Sequence, residues 1–133
     1  MATLLITGFY LSLLGLLYIV LAVRIIKLRY HFKTGIGDGG HAPLAQAIRV
    51  HGNFAEYTPL VMLLLACAEL NGSATLLLHM VGAGFFIGRV LHSIGITQSQ
   101  GPTRFRFWGM ISSFVSIVIL AEENIRLFIL ASL

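Results

Sequence analysis

Acidic side chains are rare in this chain: five of 133 residues, and among them a single aspartate, Asp38. That aspartate sits in the glycine-rich stretch Gly37-Asp38-Gly39-Gly40, so a Ser-His-Asp hydrolase has no credible orienting carboxylate. Cysteine is rarer still. Cys67 is the only one and lies in an apolar run, which rules out an internal disulfide and leaves the redox compartment undefined. The five histidines are scattered and Cys67 has no partner at ligand spacing, so the sequence offers no metal site. Charge of either sign makes up only 11% of the chain, against 57% hydrophobic residues. With a mean hydropathy of +0.90, these values describe an all-α, polytopic membrane protein, not a soluble globular one. The net charge of +4 does not point to nucleic acid, because the basic residues gather at the ends of apolar segments, as at a membrane surface.

Four apolar segments predict four transmembrane helices in a single domain covering residues 1–133. The first runs from Leu4 to about Val23. It has neither a basic leader nor a small-residue cleavage site, so we read it as a retained helix, not a signal peptide. Arg24, Lys27, Arg29 and Lys33 follow it, with their stems snorkelling at the interface. Gly35, Gly37 and Gly40 match G-x-G-x-x-G formally, but no strand precedes them. They read as a flexible turn, not a dinucleotide loop. The second helix is expected from about Ala42 to Glu69, with Pro43 in its first turn, Pro59 inside it and Asn71-Gly72 closing it. The next linker is very short, so the third helix, about Ser73 to Ile94, must run antiparallel beside the second. Its Gly84-x-x-x-Gly88 spacing predicts close helix packing, and His79 is expected to be a hydrogen-bonded core residue. A polar connection containing Gln98, Gln100 and Pro102 leads to the fourth helix, from about Phe105 to beyond Leu120. Glu122, Glu123 and Arg126 then form a solvated exit turn, and residues 127–133 either continue the helix or lie along the bilayer.

The chemistry concentrates in Arg49-Val50-His51-Gly52-Asn53-Phe54-Ala55-Glu56-Tyr57. Arg49, Asn53 and Glu56 fall at i, i+4 and i+7 on one helix face, flanked by Gln46 and Tyr57. Burying a charge within a membrane costs roughly 2.5–3.5 kcal/mol on insertion scales, so this face is expected to point into the bundle and mark a site. An internal Arg49–Glu56 ion pair that only fixes packing is the plainer alternative. Further cations, Arg89 with His92 and Arg104 with Arg106, exceed what one carboxylate can neutralise, and the surplus favours an anionic ligand. For Arg89 and His92 the alternative is an interfacial snorkelling pair, and for Arg104 an aromatic-basic belt with Phe105, Phe107 and Trp108. Basic residues crowd the 1–2 and 3–4 connections. The positive-inside rule therefore puts both termini outside the cytoplasm and the candidate site toward it.

These stretches resemble the membrane-associated proteins in eicosanoid and glutathione metabolism, the MAPEG family. The likeness spans nearly the whole chain, rests on Arg49-x-x-x-Asn53-x-x-Glu56-Tyr57, Gly88-Arg89 and Arg106-x-x-Gly109, and is nearest to the bacterial branch through Gly37-Asp38-Gly39-Gly40. The resemblance implies a homotrimer of four-helix subunits in an inner membrane, holding glutathione as co-substrate between neighbours. It also implies glutathione-dependent transferase or peroxidase activity on lipophilic electrophiles or hydroperoxides arriving from the lipid. Arg49, Asn53, Glu56 and Tyr57 match the positions that grip the tripeptide, and Arg29, Arg89 and His92 join the expected binding set. Arg106 matches the arginine that stabilises the thiolate, with Arg104 as its rival. Where eicosanoid synthases have paired arginines after the first helix, this chain has Arg29-Tyr30. Where they have two tyrosines after the third-helix arginine, it has His92 and Ile96. Eicosanoid synthesis is therefore unsupported, and a non-catalytic family member that binds a small anionic or thiol ligand remains the alternative. A transporter is disfavoured, since no inverted repeat or paired broken helices occur.

Overall fold

A computed structural model describes residues 3–98, 101 and 103–133; Gln100 and Pro102 of the third connection lie outside the described residues. The described residues form four helices: α1 (Leu5–Phe32), α2 (Ala42–Leu70), α3 (Thr75–Gln98) and α4 (Arg104–Ser132). The all-α bundle expected from composition is what forms. By length and hydropathy, α1, α2 and α3 are each able to cross a bilayer. The 29-residue α4 lies along α3 in the most extensive helix pair of the bundle. It turns an apolar face outward through Phe105, Phe107, Trp108, Phe114 and Val118.

Local sequence sets the helix ends. The basic residues after Val23 extend α1 to Phe32, where Lys33 takes a left-handed φ of 52° and the Thr34 N–H reaches the Arg29 carbonyl at 3.0 Å. Pro43 occupies the first turn of α2, where its missing N–H leaves no gap in the ladder. Gly72, at φ 82°, closes α2 and lets the Ser73 N–H reach back to the Ala68 carbonyl. Thr103 caps α4, its hydroxyl accepting from the Arg106 N–H at 3.2 Å.

Several expectations need correction. The helix α3 begins two residues later than Ser73 and continues past Ile94 to Gln98. Of the two alternatives for the tail, the helix is the one that forms, and α4 continues to Ser132. Glu123 is not solvated. It is buried, accepts from Ser73 Oγ at 2.7 Å and takes two 2.8 Å bonds from Arg126, tying the α2–α3 turn to α4. His79 is hydrogen-bonded to the Tyr10 hydroxyl at 3.1 Å but is exposed on the single chain, not core. The glycine turn is strapped, not loose. Arg29 donates to the carbonyls of Gly35 and Gly37 at 3.0 Å, and Asp38 accepts from the Gly40 N–H at 2.9 Å.

Helix packing uses glycine differently from the expected spacing. A Cβ on Gly84 would meet nothing within 4 Å, whereas one on Gly88 would fall 2.6 Å from Ser112 Cβ. On α4, a Cβ at Gly109 would sit 2.6 Å from the Gly88 carbonyl oxygen. The close approach is thus Gly88 on Gly109, between α3 and α4. Gly95 repeats it one level on, against the backbone of Phe105 and Arg106. A core of Leu14, Val50, Phe54, Leu65, Phe85 and Leu120 fills the rest.

Candidate functional site

The polar stretch of α2 is split by the edge of the bundle. Taking Arg49 as zero, Asn53 stands about 40°, Gln46 about 60° and Tyr57 about 80° to one side, while Glu56 stands about 20° to the other. The first group faces α3. Asn53 is buried, Tyr57 is half-buried, and the Gln46 amide donates to the Ile96 carbonyl. Arg49 and Glu56 face out of the subunit, their side chains 64% and 55% exposed, and touch each other at 3.5 Å. The expectation that the whole face points inward is therefore corrected: the 60° spread is enough to straddle a helix contact. A shallow groove of about 320 Å³ runs beside Arg49, floored by Ala45, Ile48 and Gly52 and rimmed by Gly37 and Asp38.

Arg89 does reach the inner part of this face. Only 1% exposed, it donates from Nη1 to Asn53 Oδ1 at 2.9 Å and from Nη2 to the Gly109 carbonyl at 3.1 Å. Its guanidinium carbon lies 5.5 Å from the Tyr57 ring centre and 5.7 Å from that of Phe85. Among the described residues no carboxylate is in salt-bridge contact with it. A buried cation without an anion is expensive, which makes its ring and carbonyl partners indispensable. It is not a snorkelling residue.

His92, one turn further along α3, is also buried and packs on Gly109, whose added Cβ would meet His92 Cβ at 2.6 Å. With Arg49 near the start of α2, Arg89 and His92 in the second half of α3 and Arg106 at the start of α4, the three guanidinium groups share one end of the bundle with His92. Arg106 is half-buried and Arg104 exposed in the first turn of α4. Arg29 stands apart, engaged by the carbonyls of the 34–37 turn and lining a separate groove of about 410 Å³ with Ile26, Tyr30 and Lys33.

Two features escaped sequence reasoning. The Gly109 carbonyl, a main-chain group, completes the seat of Arg89. Glu69 caps the far end of the bundle: its carboxylate accepts from the backbone N–H groups of Ile6 and Thr7 at 2.8 and 2.7 Å, where α1 has no side-chain cap of its own. An acid placed at the end of one apolar segment, level with the start of another, was the available signal for the second.

A helical membrane bundle with cations gathered at one end defines an integral membrane protein with a polar site beside the lipid. The sequence model of the MAPEG family matches residues 7–126, and the chain belongs to that family. It is 30% identical over 120 residues, 90% of each chain, to the inner membrane protein YecN of Escherichia coli strain K12. The same figures hold for the YecN protein of Escherichia coli O6:H1.

Proposed function

We propose that this protein is a bacterial inner-membrane glutathione transferase or peroxidase, working as a homotrimer with glutathione held between neighbouring subunits at the cytoplasmic end. The observation that carries the reading is the outward-facing Arg49–Glu56 pair. On an isolated subunit it exposes two charges at a helix face flanked by lipid-seeking residues, a costly arrangement unless something polar covers it. Glutathione has the matching charges. Its carboxylates suit the Arg49 fork, and its ammonium group suits Glu56.

Arg106 is the group we assign to the thiol. A free thiol with a pKa near 8.5 is mostly protonated at neutral pH, and an adjacent guanidinium favours the thiolate. In the transferase reaction the thiol proton leaves to solvent. The sulfur forms a bond to the electrophilic carbon, and the leaving group departs with its electron pair. In the peroxidase reaction two glutathiones reduce a hydroperoxide to an alcohol and water and become the disulfide.

Calorimetric titration of the purified protein tests the site. Glutathione binding should weaken at least ~10-fold in both Arg49→Ala and Glu56→Ala, consistent with about 1.4 kcal/mol or more for a lost charge-assisted contact. Unchanged affinity in both variants would sink the proposal. Binding without conjugation or peroxidase turnover would instead make the protein a thiol-binding, non-catalytic family member. Cross-linking in the native membrane should end at a three-subunit band, and a monomer that binds glutathione undiminished would contradict the shared site.

A further inference from the structure

The geometry points to Arg89 as a positioning residue: a buried guanidinium that never touches the ligand and fixes the Asn53 amide so that its NH2 group faces glutathione. This inference rests on the glutathione site proposed above. A guanidinium has five N–H donors and no acceptor. With Arg89 Nη1 at 2.9 Å, the Asn53 atom facing it must be the carbonyl oxygen, since the flipped amide would oppose donor to donor. The amide oxygen is thereby committed to Arg89, while Nδ2, which forms no hydrogen bond among the described residues, is not among the fully buried unpartnered atoms. Its two N–H donors stand about one helical turn from Arg49 along α2. Glutathione, with two carboxylates and two peptide carbonyls, is rich in acceptors for them.

Arg89 is walled off from that contact by burial: it is 1% exposed and bounded by the Tyr57 and Phe85 rings, its Nη2 is held by the Gly109 carbonyl, and its Nε is sealed inside with no hydrogen-bond partner among the described residues. The same contact relates the two halves of the site. Gly109 lies three residues beyond Arg106, and the backbone approach of Gly88 to Gly109 brings that carbonyl within reach. One side chain on α3 thus bridges the Asn53 amide on α2 and the Gly109 carbonyl on α4.

A double-mutant cycle on glutathione affinity, paired with thermal unfolding, tests the assignment. The variants are Arg89→Lys, Asn53→Ala and their combination, in the full-length protein purified in lipid nanodiscs. Arg89→Lys keeps the charge and loses the fork, and should raise the glutathione Kd about 5- to 10-fold in the wild-type background. In the Asn53→Ala background it should change Kd less than 2-fold, because no amide is left to orient. A further variant, Asn53→Asp, pairs with Arg89 but removes the NH2 donors. It should hold or raise Tm while weakening glutathione binding at least ~10-fold, a split that simple loss of folding cannot produce. Equal losses from Arg89→Lys in both backgrounds would mean that Arg89 does not act through Asn53 and would overturn the inference. So would Asn53→Asp binding glutathione as the wild type does. Wild-type protein that fails to bind glutathione at all would remove the proposed function, and this inference with it.

Discussion

Among single residues, Glu69 and Arg89 do the most with one side chain, and each solves a problem that burial creates. The first N–H groups of α1 have no partner within their own helix. Glu69 supplies both carboxylate oxygens to them across more than sixty residues of chain, and its negative charge also suits the positive end of the helix dipole. Glu69→Ala should lower stability by about 1–2 kcal/mol, read as a fall in Tm in detergent, while Glu69→Gln should retain part of it because one oxygen remains. A Glu69→Ala protein as stable as the wild type would show that the cap is dispensable. Arg89 carries the opposite charge into the opposite end of the bundle. Its neutral partners make it a fixed part of the site's wall.

Among elements, the contact between α3 and α4 decides where the site residues stand. Gly88 and Gly109 meet backbone to backbone, so a methyl group at position 109 must push the helices apart. Gly109→Ala should cost about 1–3 kcal/mol through overpacking and weaken glutathione binding by displacing Arg106. Gly84→Ala has open space and should be neutral or slightly stabilising, since alanine favours a helix by roughly 0.5–1 kcal/mol over glycine. Paired melting curves check the contrast, and a reversed order would refute the packing. The glycine pattern on α3 alone did not separate these two residues, because the partner surface belongs to another helix. The helices were legible, since long apolar runs and Asn71-Gly72 speak locally. The orientation of the α2 face was not: Arg49, Asn53 and Glu56 read as one stripe until the edge of α3 divided it. Likewise Glu123 read as solvated because its partner Ser73 lies fifty residues away.

For the whole molecule, charge is sorted by position. Basic residues other than Arg126, with the polar face of α2, collect at one end of the bundle, and two of the acids, Glu69 and Glu123, tie down the other end. That asymmetry is what the sequence displayed most openly, and it underlies the proposed orientation with both termini periplasmic. Glu56 is the carboxylate in ion-pair contact with Arg49 among the described residues, and Arg89, Arg106 and His92 lie toward the same end of the bundle. The proposed role of this cationic end is to hold glutathione and ionise its thiol. The most direct measurement is the ultraviolet difference spectrum of the purified protein on adding glutathione at neutral pH, repeated with Arg106→Ala and Arg104→Ala. A thiolate band near its usual ultraviolet position should grow to saturation in the wild type and in Arg104→Ala and be lost in Arg106→Ala. Glutathione bound with no thiolate band in any of the three proteins would contradict the account.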